Sequence, residues 1–371
     1  METLRIAFVY DVIYPWVKGG VERRIYELAR RLSVNHEVHV YGYKLWKGKS
    51  EIEREGIHYH GTVRVNRLYY GSRRSVTPPL IHSIALLSEF RGERFDVIDC
   101  QASPYLPAHS LRLAGLENVL ITWHEFWGDY WFDYLGKVGI IGKIAERGLF
   151  SFERHISVSQ KTRTDLFNSG LRKLIHLVPN GIDTNLIHSL KPSPLESDFL
   201  FVGRLIPEKG VDFLLHSLAL LKRELPDFRV IIVGDGPEKA KLELLARKLG
   251  IEKNTTFTGF LGDYRDVLAL MKASKVFAFP SRREGFGMVV LEAMASGIPV
   301  VTMNHPMNAS RYLMESGRDG FVADVSLEGF AEALLTAYHN SKKLGTFAQK
   351  RAERYDWDRI VKVLIRVYRG D

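Results

Sequence analysis

The chain has very little cysteine: Cys100 is the only one among its 371 residues. A single thiol cannot form an internal disulfide and cannot supply the several sulfur ligands of a zinc or iron–sulfur site. Disulfide-stabilised and cysteine-metal classes are therefore excluded. The start of the chain lacks a signal-peptide pattern, because Glu2 comes early and the apolar run is short. We therefore expect a reducing, cytoplasmic setting.

Long hydrophobic runs are also absent, since no stretch approaches the roughly 20 apolar residues of a membrane-spanning helix. Hydrophobic residues make up 46% and charged residues 26%, a balance typical of globular enzymes. A chain of 371 residues exceeds the usual size of one core, which predicts two domains. The net charge of +9 is shared by both halves and indicates only a mild preference for anionic ligands.

Several catalytic signatures are missing. No G-x-G-x-x-G fingerprint follows a strand pattern, which argues against a dinucleotide dehydrogenase, and there is no G-x-S-x-G elbow or Walker A sequence. The nearest D-x-D pair is Asp356 and Asp358, at a predicted helix start where aspartates are ordinary caps. The sequence therefore predicts no metal site.

Short apolar runs alternate with helical patterns along the chain. A strand, a loop, a helix and a second strand over residues 4–43 form a βαβ unit, which implies a parallel sheet. The stretch 188–197 has two prolines, serines and charges without periodicity, and the alternation restarts at 198. We therefore predict an α/β protein with two doubly wound Rossmann-like domains, 1–187 and 198–354, joined by a linker at 188–197 and facing each other across a cleft. In such folds ligands bind at the loops that follow strands.

One such loop carries the stretch EGFGMVVLE, residues 284–292. Gly285 and Gly287 allow a sharp turn, and the helix that follows presents unpaired N–H groups, which suit a phosphate. Glu284 and Glu292 could then bind hydroxyl groups on either side of that phosphate, as in a nucleotide sugar. A helix start with incidental acids is the alternative.

Two further loops supply candidate phosphate contacts. Arg204 and Lys209 lie in FVGRLIPEKG, between Gly203 and Gly210, and could clamp a diphosphate; a solvated basic loop is the alternative. Gly19 and Gly20 begin the first predicted helix and could present its unpaired N–H groups to a phosphate, although for this pair alone an ordinary glycine turn is the favoured interpretation.

His124 follows the predicted strand 118–122 and could bind a sugar hydroxyl or a phosphate, or help a proton leave. Aromatic residues crowd the stretch around it, 123–134. They could form a stacking platform for a sugar or a lipid, although packing is the more common role of such clusters.

The order of these motifs resembles the retaining glycosyltransferases of the GT-B fold, with the best likeness to glycosyltransferase family 4. The resemblance rests on Gly19-Gly20, His124, VPNGID (178–183), VGR-x4-KG, VGDGP (233–237) and EGFG-x4-E, over about residues 4 to 360. It implies that the segment 355–371 is a final helix that can pack back onto the first domain.

The resemblance also implies roles for particular residues. Glu284 would contact the donor sugar, Glu292 the ribose, and Arg204 with Lys209 the leaving phosphate. His124 would lie beside the sugar and the acceptor. The remaining donor contacts would come from Gly19, Gly20, Gly203, the turn amides of Phe286, Gly287, Met288 and Val289, and the base-binding loop 258–263 with Phe260. No metal or other cofactor is implied.

One loop departs from the family pattern. Many members carry a glycine pair and then Pro-Glu after the strand that ends here at Met303, whereas this chain has NHPMNASRYLMESGRDGF over 304–321. Because that loop is expected near the donor sugar, the identity of the sugar stays open.

The sequence thus predicts a hexosyltransferase type of enzyme that moves a sugar from a nucleoside diphosphate, with UDP favoured over GDP, to a glycan or lipid-linked acceptor. The resemblance implies retention of anomeric configuration, and peripheral contact with the cytoplasmic face of a membrane is compatible with it. The alternatives are an epimerase or phosphorylase of the same fold, or a non-catalytic scaffold. The scaffold would use Arg64, Arg67, Arg73 and Arg74 around two tyrosines to bind a membrane or nucleic acid, although a solvated loop explains them and no nucleic-acid partner is expected of the enzyme.

Overall fold

The computed structural model of the chain describes residues 2–65, 69–70, 73–74 and 77–370. It divides into two units, Met1–Asn180 with Trp357–Asp371 (unit 1) and Gly181–Asp356 (unit 2). The strands are β1 Arg5–Val9, β2 Glu37–Lys44, β3 Glu51–Arg54, β4 Ile57–Arg64, β5 Tyr69–Tyr70, β6 Arg73–Arg74, β7 Val97–Gln101, β8 Val119–Trp123, β9 Arg154–Ser157, β10 Ile175–Leu177, β11 Ser197–Val202, β12 Val230–Val233, β13 Thr255–Gly259, β14 Ser274–Phe279, β15 Val300–Met303 and β16 Gly320–Ala323.

The described ranges also contain α-helices and several short 3-10 helices. Of the helices described, none is both long enough and apolar enough to cross a membrane. The α-helices are α1 Gly20–Leu32, α2 Thr77–Glu89, α3 Leu106–Leu113, α4 Tyr130–Leu135, α5 Gly139–Gly148, α6 Gln160–Asn168, α7 Thr184–Ser189, α8 Val211–Leu221, α9 Lys239–Lys248, α10 Tyr264–Lys272, α11 Met288–Ala295, α12 Leu327–His339, α13 Ser341–Ala352 and α14 Trp357–Arg369.

Each unit contains one large sheet. In unit 1 the strand order is β10-β9-β8-β7-β1-β2-β4-β3, with parallel pairing except between β3 and β4. In unit 2 the order is β13-β12-β11-β14-β15-β16, and all neighbours are parallel. Most strand residues are buried because helices cover both faces of such sheets. The predicted pair of doubly wound α/β units is confirmed.

The order in which successive strands join the sheet reverses between β11 and β14 in unit 2 and between β1 and β7 in unit 1. Loops that leave neighbouring strands on opposite sides of such a point open a crevice at the carboxyl edge of the sheet. We therefore expect ligand-binding residues in the loops after β11 and β14, and at the carboxyl ends of β7 and β8.

The division between the units falls after Asn180, not within the composition-based linker 188–197. Residues 184–189 form α7, which contacts α11 of unit 2, and residue 197 already begins β11. Prolines and serines here mark irregular backbone, but the flanking helix α7 packs against α11. The stretch therefore lies within unit 2 rather than between the two units.

The last helix, α14, belongs to unit 1. Its apolar face, which includes Trp357, Ile360 and Leu364, is buried in the core that β1, β2 and α1 form. Arg31 Nε of α1 donates to Asp358 Oδ1 at 2.6 Å, and Arg154 Nη2 donates to the Val367 carbonyl oxygen at 2.6 Å. The end of the chain is thus part of the first core.

The position of α14 generates a stability prediction. We expect Leu364→Ala to destabilise unit 1 by about 2–5 kcal/mol, because it leaves a cavity where a fully buried side chain stood. All six tryptophans lie in unit 1, so their fluorescence during urea unfolding reports on this unit.

Val363→Ala is the matched control, since Val363 lies on the same helix and is 39% exposed. We expect its effect to stay within about 0.5 kcal/mol. Equal destabilisation by the two variants would contradict a buried α14 core face.

Candidate functional site

The loops after β11 and β14, residues 203–210 and 280–287, lie against each other at the carboxyl edge of the unit 2 sheet. The Arg282 amide donates to the Glu208 carbonyl oxygen at 2.8 Å, and Ser281 Oγ donates to the same oxygen at 3.3 Å. Gly210 has φ +67°, and a Cβ there would lie 2.4 Å from the Pro280 carbonyl oxygen. The two predicted ligand loops therefore form one continuous structure.

Lys209 and Glu284, one from each loop, are in direct contact. Lys209 Nζ donates to Glu284 Oε2 at 2.5 Å, and each side chain is only 19% exposed. The ammonium group also lies 5.3 Å from the centre of the Phe279 ring, a favourable distance for a cation over an aromatic face. The residue predicted to bind phosphate and the residue predicted to bind sugar thus share one interaction.

Arg204 lies at the start of the first loop and is exposed. Within the part of the chain that the structure describes, its side chain forms no hydrogen bond or ion pair. Gly203 precedes it, and its amide donates to the Val233 carbonyl oxygen at 3.0 Å, which extends the pairing of β11 with β12. Arg204 therefore follows directly on the paired edge of the sheet, and its side chain is accessible.

The second loop ends in a turn at Gly287, which has φ +98° and forms the N-cap of α11. Met288 and Val289 begin that helix, so their amides have no helical acceptor one turn earlier. The Phe286 side chain is 5% exposed, with its ring 6.3 Å from that of Tyr355. The Phe286 ring is therefore packed in the interior, so a role for this residue in ligand binding could involve only its backbone amide.

Glu292 lies one turn into α11 and is buried. Its Oε1 accepts a hydrogen bond from the Tyr264 hydroxyl at 2.6 Å, and Tyr264 is the first residue of α10. The loop just before α10 carries Phe260, which is 75% exposed. Tyr264 thus connects the carboxylate predicted to hold the ribose with the loop predicted to receive the base.

The loop that departs from the family pattern is bonded to this site. The Glu284 amide donates to the Met307 carbonyl oxygen at 3.0 Å, and the Ala309 amide donates to the Glu284 carbonyl oxygen at 2.9 Å. Asn308 is fully buried and donates to Thr302 Oγ1 and the Met303 carbonyl oxygen while its Oδ1 accepts from Ser310. Residues 304–311 therefore fix the position of Glu284.

Unit 1 contains the remaining predicted site residues. Gly19 is the N-cap of α1 in an extended conformation, and Gly20 is the first residue of the helix. A Cβ at Gly19 would lie 2.5 Å from Glu22 Oε2. The Glu22 carboxylate, from the first turn of α1, therefore lies against Gly19.

His124 follows β8 directly, at the carboxyl edge of the unit 1 sheet, and is partly buried. Its Nε2 lies 2.7 Å from Gln101 Oε1. Desolvation, and secondarily the positive charge of Arg24, lower the pKa of His124 to about 3. The ring is therefore neutral over the physiological pH range.

The aromatic stretch after His124 is held by a buried carboxylate, Glu146 of α5. This side chain accepts hydrogen bonds from the Trp127 amide at 2.8 Å, the Gly128 amide at 2.8 Å and the Tyr105 hydroxyl at 2.7 Å. Burial raises the pKa of Glu146, and these donors act in the opposite direction. Most of the aromatic rings pack on one another, as Trp127 and Trp131 do at 4.6 Å.

Tyr264, Asn308, Gln101 and Glu146 were not among the predicted site residues. Tyr264, Gln101 and Glu146 act through contacts with residues distant in sequence, so short motifs do not contain them. Asn308 acts within its own loop, through the buried hydrogen bonds that it makes with residues 302–310. For Gln101 a local signal exists, because Asp99-x-Gln101 and Thr122-x-His124 are two polar pairs at the ends of neighbouring strands. Gln101 lies opposite Thr122, so the two pairs are on the same face of the sheet. This pattern identifies a site only when the strand pairing is known.

Family models match the two halves of the chain. Residues 18–186 match the model described as Glycosyltransferase Family 4, and residues 187–354 match the model described as Glycosyl transferases group 1. The chain is therefore built from two glycosyltransferase domains, one in each unit, and its architecture is that of the GT-B fold.

Individual relatives agree with this class. Glycogen synthase of Mycobacterium tuberculosis is 31% identical over 55% of this chain, and this chain spans only about half of its length, 50%. One subunit of the human phosphatidylinositol N-acetylglucosaminyltransferase is 28% identical over 81% of this chain and 62% of its own length. The structure of Anabaena Alr3699/HepE in complex with UDP and glucose is 22% identical, covers 99% of this chain and 100% of its own, and superposes with a TM-score of 0.76, which shows a shared fold.

The turn at Gly287 generates a prediction about the frame of the site. We expect Gly287→Ala to destabilise unit 2 by more than the roughly 1 kcal/mol that a positive φ costs, because the new Cβ would lie 2.8 Å from Ser310 Cβ. Differential scanning calorimetry measures the loss.

Gly297→Ala is the matched control: its φ is +83°, and nothing lies within 4 Å of the added Cβ. Both variants share the backbone strain, so the difference between them isolates the contact with Ser310. Identical melting temperatures for the two variants would contradict the packing of the 304–311 loop against this turn.

Proposed function

We propose that this protein is a glycosyltransferase that moves a sugar from a nucleoside diphosphate to a glycan or lipid-linked acceptor. The observation that carries the proposal is the carboxyl edge of the unit 2 sheet. There Arg204, Lys209, Glu284 and the first amides of α11 occupy adjoining loops at the strand-order reversal. The matching family models support transfer and do not favour an epimerase, a phosphorylase or a scaffold.

The difficult step in this chemistry is the departure of a diphosphate that carries growing negative charge. Arg204 offers an exposed guanidinium, and α11 offers the positive end of its dipole. Lys209 would exchange part of its contact with Glu284 for the phosphate, which would leave the Glu284 carboxylate available to sugar hydroxyls. Because these groups can neutralise the leaving charge, we propose that transfer needs no metal ion.

The finer assignments rest on resemblance. UDP is the proposed nucleotide, supported by the Anabaena protein, whose structure was solved in complex with UDP and glucose. We also propose retention of configuration, which the motif resemblance implies, and membership of glycosyltransferase family 4, which that resemblance and the model that matches 18–186 support. The sugar itself is left open because the 304–311 loop, which positions Glu284, has its own sequence.

We further propose that unit 1 meets its acceptor at an anionic membrane surface through α5. An ordinary surface helix turns its large apolar side chains inward, whereas α5 turns glycines inward. Gly139 and Gly142 lie against Trp131, since a Cβ at these positions would come within 2.2 and 2.5 Å of Trp131 atoms. Its large apolar residues face outward, with exposures of 46% to 66% for Ile140, Ile141 and Ile144.

Basic residues accompany this face, since Lys137 and Arg147 are both exposed beside it. A face with apolar centre and cationic margin is typical of a helix that lies in the interface of an anionic bilayer. The human relative, which is named for phosphatidylinositol, supports a lipid acceptor. The membrane proposal does not involve the basic stretch 64–74, since Arg67 lies outside the described residues, as do the side chains of Arg73 and Arg74.

The transfer proposal predicts that Arg204→Met lowers kcat/KM by about 100- to 1,000-fold, the loss typical when one group that stabilises developing charge is removed. A thermal-shift panel of UDP-glucose, UDP-N-acetylglucosamine and GDP-mannose first selects the donor. Release of free nucleotide diphosphate from that donor is then measured with EDTA present, together with the anomeric configuration of the product.

Arg223→Met is the matched control, because this exposed arginine follows the opposite end of α8. It should retain the activity of the unaltered protein. Unchanged turnover by the Arg204 variant would overturn its role, and activity that disappears with EDTA would overturn the proposal of metal-free transfer.

The membrane proposal predicts that the protein floats with vesicles that contain phosphatidylglycerol and less with vesicles of phosphatidylcholine alone. Joint Ile141→Glu and Ile144→Glu should weaken binding at least about tenfold, since each buried isoleucine contributes on the order of 1.5–3 kcal/mol.

Leu244→Glu, at a 50% exposed leucine of α9 in unit 2, should leave flotation unchanged. Flotation that ignores the two isoleucine changes would contradict the proposal. A dimer that the same two changes dissociate would instead assign this face to a second copy of the chain.

A further inference from the structure

A chain of buried polar groups in unit 1 leads from α14 to His124. The Tyr368 hydroxyl donates to Asp99 Oδ2 at 2.6 Å, and Asp99 Oδ1 accepts from Gln101 Nε2 at 2.9 Å. Gln101 Oε1 then lies 2.7 Å from His124 Nε2. Tyr368, Asp99 and Gln101 are 4%, 1% and 2% exposed, so water does not compete for these bonds.

The parallel pairing of β7 with β8 creates this arrangement. Gln101 lies opposite Thr122 in the register, and successive side chains alternate between the faces of a strand. Asp99 and Gln101 therefore share a face with Thr122, whose Oγ1 also donates to Asp99 Oδ1 at 2.6 Å. Tyr368 completes the set from the helix that covers this face.

The orientation of the Gln101 amide follows from its acceptors. Its Nε2 faces Asp99 Oδ1 and, at 3.3 Å, the Asp99 carbonyl oxygen, which can only accept a hydrogen bond. The NH₂ group must therefore point toward Asp99, and the carbonyl oxygen of the amide must point toward His124. Because that oxygen has no proton to give, His124 Nε2 must carry one.

We propose that Gln101, Asp99 and Tyr368 are positioning residues that hold His124 as the Nε2–H tautomer, so that its Nδ1 accepts a hydrogen bond from a substrate hydroxyl. The substrate part of this inference rests on the proposed function. A neutral ring with one proton on Nε2 has its lone pair on Nδ1. The site then favours a group that donates and disfavours one that only accepts.

The same contacts give α14 a part in the site. Burial, and then the neighbouring Asp99, raise the pKa of the Tyr368 phenol, so it remains a donor at physiological pH. Arg24, which is buried and donates to the Pro179 carbonyl oxygen at 2.7 Å, raises the electrostatic cost of a proton on His124. Residue 368 thus acts on a residue 244 positions earlier through two intervening side chains.

The test is nitrogen-15 NMR of histidine-labelled protein without substrate, which distinguishes the two neutral tautomers and the charged ring. The chain has 13 histidines, so His124→Asn identifies the signal. We expect a single Nε2–H tautomer for His124, and a mixture of tautomers in Gln101→Met, which keeps the length of the side chain and removes the acceptor. A wild-type ring protonated on Nδ1, or a tautomer unchanged in Gln101→Met, would overturn the proposal.

Tyr368→Phe keeps the ring and removes only the hydroxyl, and it provides a second variant if Gln101→Met does not fold. It should also disturb the tautomer, to a smaller extent. In the transfer assay either variant should lower kcat on the order of 10- to 100-fold, as when a partner that orients a functional histidine is lost, with UDP affinity within about twofold. An equal loss of UDP affinity would indicate a structural role only and overturn the proposal.

The NMR readout separates this inference from the proposed function. If His124 has the predicted tautomer but no nucleotide sugar is bound or turned over, the proposed function fails and the positioning role stands. If transfer occurs but the tautomer of His124 differs, the positioning role fails and the proposed function stands.

Discussion

The ion pair between Lys209 and Glu284 joins the loops after two neighbouring strands of unit 2, and the arrangement of the site depends on it. Both partners are largely buried, so their attraction is partly offset by lost hydration and the net stabilisation is modest. Its main effect is geometric, since it fixes a cation and a carboxylate at the strand-order reversal, beside an exposed Arg204 and the first amides of α11. A ligand with both a diphosphate and a polyol can engage both members, whereas a ligand with only one of these groups leaves the other member without a partner.

In unit 1 the corresponding constraint is a chain of hydrogen bonds rather than an ion pair. Asp99 accepts from Tyr368, Thr122 and Gln101, and Gln101 in turn fixes His124. Glu146 holds the aromatic stretch that follows His124 through two backbone amides. Each of these buried acids therefore orders a segment near the carboxyl edge of the sheet, which explains why carboxyl groups occupy positions where apolar side chains would cost less to bury.

The two doubly wound sheets could be predicted from the sequence because strand and helix periodicities alternate with short loops, and a loop that follows a strand has a known place in such folds. The glycine turn and the helix start at Met288 could be predicted for the same reason. The contacts of Gln101 and Tyr264 could not, since they depend on strand register and on residues far apart in the chain. The outward isoleucines of α5 also could not, because an amphipathic pattern does not specify which face meets the core. The return of α14 to the first core, which places the contact-based division after Asn180, depends on long-range packing that local composition does not specify.

The central claim is that the unit 2 edge recognises a diphosphate through fixed positive charge. Calorimetric titration with UDP and with uridine tests it most directly, because the two ligands share the base and ribose and differ only in the phosphates. The account predicts that UDP binds at least about 100-fold more tightly than uridine, and that Lys209→Met removes most of that difference while uridine affinity is unchanged. Equal affinity for UDP and uridine, or an advantage of UDP that survives the loss of Lys209 and Arg204 together, would contradict it.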